Sequence, residues 1–194
     1  MSQPDTSLRA RKRRAVQDDL TLAAIDLFIT NGYDETTVEK IAASVGMSER
    51  TFFRYFATKD DVLEQLSAYW RDLAARTFAE RPADESDWVS IRRCFDDFVE
   101  STRRDDFALP LLRLIYATPQ LYGRHMHNVR RWRQMFEGVL RTRHPQAPDL
   151  AIRVKAASAM ACMECAREAW VATDGERPIA DLIDAAMSEV WPLV

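Results

Sequence analysis

The sequence predicts an all-α protein: an N-terminal three-helix domain of helix-turn-helix type, residues 1–58, followed by a larger helical domain, residues 59–194. Three observations predict it. Apolar residues recur at three- and four-residue intervals along most of the chain, the rhythm of a helix with one buried face. Only five of the 194 residues are glycine, too few for a protein built from hairpins. No segment alternates apolar and polar residues between turn signals, as a half-buried strand would.

Taken in order, Val16, Leu20, Ala23, Ala24, Leu27 and Phe28 line one face of a helix over 16–30. Asn31-Gly32 ends it, glycine supplying the left-handed conformation of a helix C-terminus. Thr36-Thr37-Val38-Glu39 reads as a capping box that opens a helix over 38–45. Ile41, Ala42 and Val45 form its apolar face, and Gly46 makes a tight turn. Ser48 caps a third helix, 49–55, with Phe52 and Phe56 on one side. A longer helix starts at Lys59 and runs through Val62, Leu63, Leu66, Tyr69, Trp70, Leu73 and Phe78. Five more helices follow, over 86–103, 105–117, 119–143, 149–173 and 178–191. They are punctuated by Pro82, Leu109-Pro110, Pro119, the run His144 to Pro148, and the run Asp174 to Pro178.

The net charge of −3 hides an asymmetry. Residues 1–14 carry Arg9, Arg11, Lys12, Arg13 and Arg14 against the single acid Asp5, so the arm is at +4. From Asp60 onward 18 basic residues face 22 acidic ones, so the body is at −4. A basic arm on an acidic body predicts a local polyanion contact. No run of about 18 apolar residues predicts a membrane span, and the polar, basic start is unlike a secretory signal. Three cysteines, Cys94, Cys162 and Cys165, fit a reducing cytoplasm better than a disulfide scaffold.

Three short helices joined by a loop and a sharp glycine turn have helix-turn-helix spacing. The second helix of such a unit lies in the major groove with its N-terminal residues at the base edges. Here those residues are Arg50, Thr51 and Arg54. Arginine reads guanine bidentately, and threonine meets a thymine methyl or a phosphate. The helix starts near Thr37 and Ser48 suit phosphate oxygens. Phe52 and Phe56 point back into the small core.

The run from Arg13 to Leu63 resembles the TetR family of regulators. The resemblance is carried by Ala24-x-x-Leu27-Phe28, Gly32-Tyr33-Asp34, Thr36-Thr37-Val38-x-x-Ile41-Ala42, Val45-Gly46-Met47-Ser48, Thr51-Phe52-Phe53-Arg54-Tyr55-Phe56 and Lys59-x-x-Val62-Leu63. It implies DNA contacts at Thr37, Ser48, Arg50, Thr51, Tyr55 and Lys59, with Arg11, Lys12, Arg13 and Arg14 on adjacent phosphates. This chain departs from the family at Phe53, where a phosphate-bonding tyrosine is usual. Glu49 also places a negative charge near the expected backbone path.

The resemblance further implies a C-terminal domain that dimerises through its last two helices and encloses an effector pocket. The residues are compatible with both. Ala156, Ala157, Ala159, Met160, Ala161 and Met163 make a small-residue helix suited to close packing. Leu182, Ile183, Ala186, Met187, Val190 and Trp191 give the last helix an apolar stripe, so these two helices are the expected seam of a homodimer. The expected pocket lies between Trp70, Phe95, Phe98, Leu112, Tyr116, Trp132, Phe136 and Met163, since aromatic and methionine side chains line small-molecule sites as well as cores. The tract Arg113 to Pro119 resembles some actinobacterial members, some of which sense acyl-thioesters, which points to an apolar or acyl-thioester-like effector.

Other sites are set aside. Cys162-x-x-Cys165 sits mid-helix and lacks further ligands at zinc-finger spacing. His125-x-His127 places its two rings on different helical faces. There is no glycine-rich phosphate loop, nucleophile elbow or calcium loop. Neither a metal nor a cofactor is expected, and no catalytic set that would make an enzyme. Two functions remain: a ligand-gated regulator binding a double-stranded operator, most often a repressor in this family, or a helical dimer that binds DNA constitutively or docks a protein partner. An enclosed apolar cavity favours the first, and a filled core the second.

Overall fold

A computed structural model describes residues 8–104 and 106–192, with Arg9 and Ala10 described by backbone only. Among the described residues there are ten α-helices and no strand. They are α1 (Leu8–Asn31), α2 (Val38–Ser44), α3 (Glu49–Phe53), α4 (Asp61–Glu80), α5 (Asp87–Arg93), α6 (Asp96–Arg104), α7 (Ala108–Ala117), α8 (Pro119–Arg143), α9 (Asp149–Ala172) and α10 (Ile179–Val190). The chain forms two compact units that divide within α4, between Leu66 and Ser67.

The first unit packs α1, α2 and α3 around Leu20, Ala24, Phe28, Ile41, Phe52 and Phe56. Leu20, Ala24 and Phe28 succeed one another at four-residue steps, so they stack on one face of α1. Two details differ from the sequence reading. Helix α1 starts at Leu8, so Arg11 to Arg14 stand exposed on its early turns and are not an irregular arm; residues 1–7 of the expected arm lie outside the described residues. The N-cap of α2 is Thr37, whose hydroxyl oxygen accepts from Lys40 N at 3.2 Å. Thr36, taken as the start of a capping box, is instead fully buried and donates to the carbonyls of Leu27 and Gly32. It ties the loop to the end of α1.

Gly46 sets the angle between α2 and α3. Its φ of +69° is left-handed, and Gly46 N and Met47 N donate back to the carbonyls of Ala43 and Ala42 at 3.0 and 2.8 Å. This is the double closure of a helix end that only glycine adopts without strain.

The second unit is a helical layer structure in which α9 packs between α8 and α10 and also meets α5 and α7. Phe78, Ile91, Phe95, Phe136, Leu140, Ala156, Met163, Ile183 and Met187 are part of its core. The single helix expected over 86–103 is two. At Cys94 and Phe95 the backbone tightens: Cys94 N is shared between Ser90 O and Ile91 O, and Phe95 N reaches back three residues to Arg92 O. The Cys94 thiol also donates to Ser90 O at 3.1 Å. Burial pushes that thiol up to about 12, so it stays a protonated, packed group. Asp87 at the start of α5 ties this layer to α8 and α9. Its carboxylate accepts from Lys155 Nζ at 2.5 Å, and His144 Nε2 lies 2.9 Å and Arg143 Nε 3.4 Å away.

Candidate functional site

The first unit presents a cationic and polar face. Ser48 caps α3: its hydroxyl oxygen accepts from Thr51 N at 3.2 Å and lies 3.1 Å from the Thr51 hydroxyl. The two hydroxyls thus form one paired group at the start of α3, with Thr51 half-buried and Ser48 exposed. Arg50 and Arg54 are exposed on the same short helix and its end. Arg54 folds over the ring of Tyr55, 5.0 Å from its centroid, and its Nη2 donates to the phenol oxygen at 3.3 Å. Arg13 of α1 approaches the same ring at 5.8 Å. The structure therefore brings Arg13, Arg54 and Tyr55 together, although 41 residues separate Arg13 from Arg54. The tyrosine ring thus has two guanidiniums close to it, and among the described residues no carboxylate pairs with either.

Lys59 sits differently. Its ammonium donates to Tyr33 O at 2.6 Å and Thr36 O at 3.0 Å, and lies 4.1 Å from the centroid of the Tyr33 ring. The charge expected on phosphates is turned to the loop between α1 and α2, leaving one ammonium hydrogen for another acceptor. Two residues that the sequence reading did not choose stand on this face. Lys40 is exposed on α2 and donates to Glu35 O at 2.7 Å. Phe53 is 52% exposed, an unusual position for phenylalanine in α3. The signal for Phe53 was present in the sequence, because Phe52 and Phe56 fill the buried side and leave Phe53 turned outward.

In the second unit the eight expected pocket residues do share a neighbourhood. Phe95, Leu112, Trp132, Phe136 and Met163 are buried in the core, while Trp70, Phe98 and Tyr116 are half-buried against it. Trp132 and Phe95 both lie against Phe136, with centroids at 6.1 and 5.8 Å. These five buried residues serve as packing. A separate open cleft of about 510 Å³ lies between the end of α8 and the start of α9, bordered by Asp87, Leu140, Arg143, His144, Ile152 and Lys155. None of the eight expected residues borders it. In that cleft the Asp87 carboxylate is opposed by its own burial, but the hydrogen bonds from Lys155 and His144 outweigh this and hold it below its ordinary range.

The seam expected for a dimer requires a correction. Ala156, Ala159, Met160 and Met163 of α9, and Leu182, Ile183 and Met187 of α10, are buried within the chain itself. They are the packing of α9 on α8 and α10. The apolar groups left outside are Leu150 at 71%, Val154 at 55%, Val190 at 52% and Trp191 at 64% exposure, together with exposed Ala161 and Cys165. Leu150, Val154, Ala161 and Cys165 fall at steps of four and seven, one stripe along the outer face of α9.

Cys162 is buried and its thiol donates to Ala186 O at 3.3 Å, whereas Cys165 is exposed. The two sulfurs thus serve different faces. Among the described residues no three His, Cys, Asp or Glu side chains gather as a metal site would require. Among the same residues no helix is long and apolar enough to cross a membrane.

Residues 20–66 match the family model of bacterial regulatory proteins of the tetR family, and residues 74–193 match the model of the MftR C-terminal domain. The chain is 34% identical over 127 residues to the HTH-type transcriptional regulator TcmR of Streptomyces glaucescens, covering 61% of this chain and 56% of that regulator. It therefore spans little more than half the length of that relative. It is 27% identical over 150 residues to the mycofactocin biosynthesis transcriptional regulator MftR of Mycobacterium tuberculosis, covering 68% of this chain and 67% of that one. A TetR-family regulator from Syntrophomonas wolfei has the same fold, with a TM-score of 0.69, 17% identity, and coverage of 92% of this chain and 93% of its own.

Proposed function

This chain belongs to the TetR family of bacterial transcriptional regulators, and we propose that it is a homodimeric repressor that binds a pseudo-palindromic operator and leaves it when a small molecule occupies the second unit. The family is one of regulators, not enzymes. DNA reading is assigned to residues 1–58, effector binding and dimerisation to 59–194, and the protein's place to the cytoplasm.

The observation that carries the DNA reading is the convergence of Arg13, Arg54 and Tyr55 at the end of α3. Two guanidiniums held on one ring attract a polyanion, and a phosphate supplies a counter-charge that no described carboxylate gives them. Arg50 and the Ser48–Thr51 pair stand where base edges and the nearest phosphates would lie. Arg11, Lys12 and Arg14 extend the cationic surface along α1. Thr37 caps α2 and adds a hydroxyl beside the backbone path.

Dimerisation follows from the exposed apolar stripe on α9. Small residues at its centre let two helices approach closely, and Leu150 and Val154 supply area that water covers in an isolated chain. A twofold pair sets two recognition helices about 34–36 Å apart, one turn of duplex. The second contact then becomes intramolecular and affinity multiplies. An effector that favours a different spacing weakens both contacts at once.

The constitutive reading has one observation in its favour: five of the eight expected pocket residues are core packing. The ligand-gated reading is supported by Trp70, Phe98 and Tyr116, which are only half-buried against that core, and by the buried Tyr116 hydroxyl, which has no hydrogen-bond partner among the described residues. The experiment that tests the DNA reading is anisotropy with fluorescent DNA carrying a selected site. Arg13→Ala and Arg54→Ala should weaken selected and scrambled DNA alike, each lowering the salt slope by about 0.9. An unchanged slope in both variants contradicts the assignment.

A further inference from the structure

Helix α3 turns one aromatic ring inward and one out. Phe52 is fully buried, and Phe28, Tyr33 and Phe56 are buried with it. Tyr55 is half-buried. Phe53 is 52% exposed, and among the described residues it is the one exposed aromatic side chain of the first unit. Its ring is anchored from below: it meets the Phe52 ring edge-on, with centroids 5.7 Å apart and planes at 88°. Glu49 and Arg50 precede Phe53 by four and three residues and are exposed as well, so the three share the outward face of α3. Arg54 is turned aside, over the Tyr55 ring.

That face is unsuited to phosphates. A phenyl ring has no donor for a phosphate oxygen. Covering a phosphate with it strips water from the anion and returns no hydrogen bond. The Glu49 carboxylate, one turn earlier, repels the DNA backbone. The cations suited to the backbone gather elsewhere, with Arg13 and Arg54 at the Tyr55 ring. The two tasks of the interface thus separate. The Tyr55 side holds phosphates, and the face of Glu49, Arg50 and Phe53 looks toward base edges.

The base edges narrow what Phe53 can meet. In the major groove every base pair offers hydrogen-bond donors and acceptors, and thymine alone adds an apolar group, its C5 methyl. A ring pressed against donors and acceptors takes their water and leaves them unpaired. Pressed against a methyl, it gains apolar contact at no such cost. Thr51 also carries a methyl on α3, but it is half-buried and its hydroxyl lies 3.1 Å from that of Ser48. The Phe53 ring is the larger apolar group and the more exposed. Its contact with Phe52 holds it in place before DNA arrives, so little freedom is lost on binding.

We propose that Phe53 determines one base of the operator: its ring packs on the C5 methyl of a thymine in each half-site and so selects a T·A pair there. This rests on the operator-binding reading above and adds a base preference to it. Discrimination at this position comes from one methyl group, with no hydrogen bond to the base. Any pyrimidine methylated at C5 meets the ring in the same way, so 5-methylcytosine is favoured over cytosine at the same place.

The test uses the full chain and the duplex it selects from random DNA. Each thymine of a half-site is replaced in turn by deoxyuridine, which removes the C5 methyl and keeps the base pair. Competition titrations give the thymine-to-uracil affinity ratio at every position. At one position the ratio should be about fourfold, and about fifteenfold with both half-sites changed, the scale of burying one such group. Phe53→Ala should bring that ratio to one and leave the others as they are. Phe53→Tyr keeps the ring and should keep the ratio. The side chain is exposed, so both variants should match the wild type in circular dichroism. At the same position 5-methylcytosine should bind more tightly than cytosine by a similar factor, in the wild type and not in Phe53→Ala. A selected site in which no thymine responds to uracil overturns the proposal, as does a ratio that survives in Phe53→Ala or equal binding of cytosine and 5-methylcytosine by the wild type. Each of these leaves the operator-binding reading standing. A chain that selects no sequence overturns that reading and the proposal together.

Discussion

The Lys59 ammonium caps the Tyr33 carbonyl at 2.6 Å while lying over the Tyr33 ring at 4.1 Å. One side chain thus closes the turn between α1 and α2 from 26 residues away. A charge that the sequence placed on DNA phosphates has a structural task first. Lys59→Met keeps the apolar stem and removes the donor. It should destabilise the first unit by about 1–3 kcal/mol, the scale of hydrogen bonds to a charged group. Hydrogen exchange at α1 and α2 should accelerate, and DNA binding should weaken for every sequence. Unchanged exchange with weakened DNA binding would return Lys59 to a purely phosphate-contacting role.

Base reading should separate from backbone holding. Arg50→Ala should reduce discrimination between the selected site and single-base variants by about 1–3 kcal/mol at the position it reads. Phe53→Tyr should act in the opposite way. A hydroxyl on that exposed ring adds a phosphate donor and should tighten selected and scrambled DNA equally. Competition titrations check both, and a uniform loss with Arg50→Ala would remove it from base recognition.

Two substitutions distinguish the core of α9 and α10 from the proposed dimer stripe. Met187 is fully buried inside the chain, so Met187→Asp should cost several kcal/mol of folding, on the order of 3–5. Ala161 is exposed on the outer face of α9, so Ala161→Glu should leave a folded monomer with no specific operator binding. Sedimentation velocity and circular dichroism together separate these outcomes. A folded dimeric Ala161→Glu protein would move the interface elsewhere.

Acid should act through Glu85. Its carboxylate accepts from Arg81 Nε at 2.7 Å and from the Ser90 hydroxyl at 2.6 Å. The Arg81 hydrogen bond leads in pulling it from an ordinary 4.5 to about 2, with burial opposing. A pKa that is lower in the folded state than in the unfolded one favours folding whenever the group is ionised. This contribution is complete above about 4.5 and is lost as pH falls toward about 2. Melting temperature should fall through that interval, and Glu85→Gln should flatten the fall. Parallel acid limbs for the two proteins would place the sensitivity elsewhere.

The helical class was legible because periodicity is a local signal. Helix α8 was read over 119–143, where the structure has it, since Pro119 at its first position and the His144–Pro148 run mark both ends. The break at Cys94–Phe95 was not legible. It has neither glycine nor proline, and arises from a three-residue backbone closure. The seam was misread at Met187 because an apolar stripe looks the same whether its partner is the same chain or a second one; only exposure separates Met187 from Val154. The contact of His125 with Glu164 left no motif, since 39 residues separate the two. The pairing of Arg13 with Tyr55 was hidden for the same reason.

The central claim is that two copies of this chain read one symmetric site through their first units. Selection from random duplex DNA, with sedimentation of the purified complex, tests it most directly. The account predicts an enriched inverted repeat whose half-site centres lie about 34–36 Å apart or at a multiple of that distance, bound by chains in multiples of two. Enrichment of an asymmetric site bound by a single chain, or no enrichment at all, would contradict it.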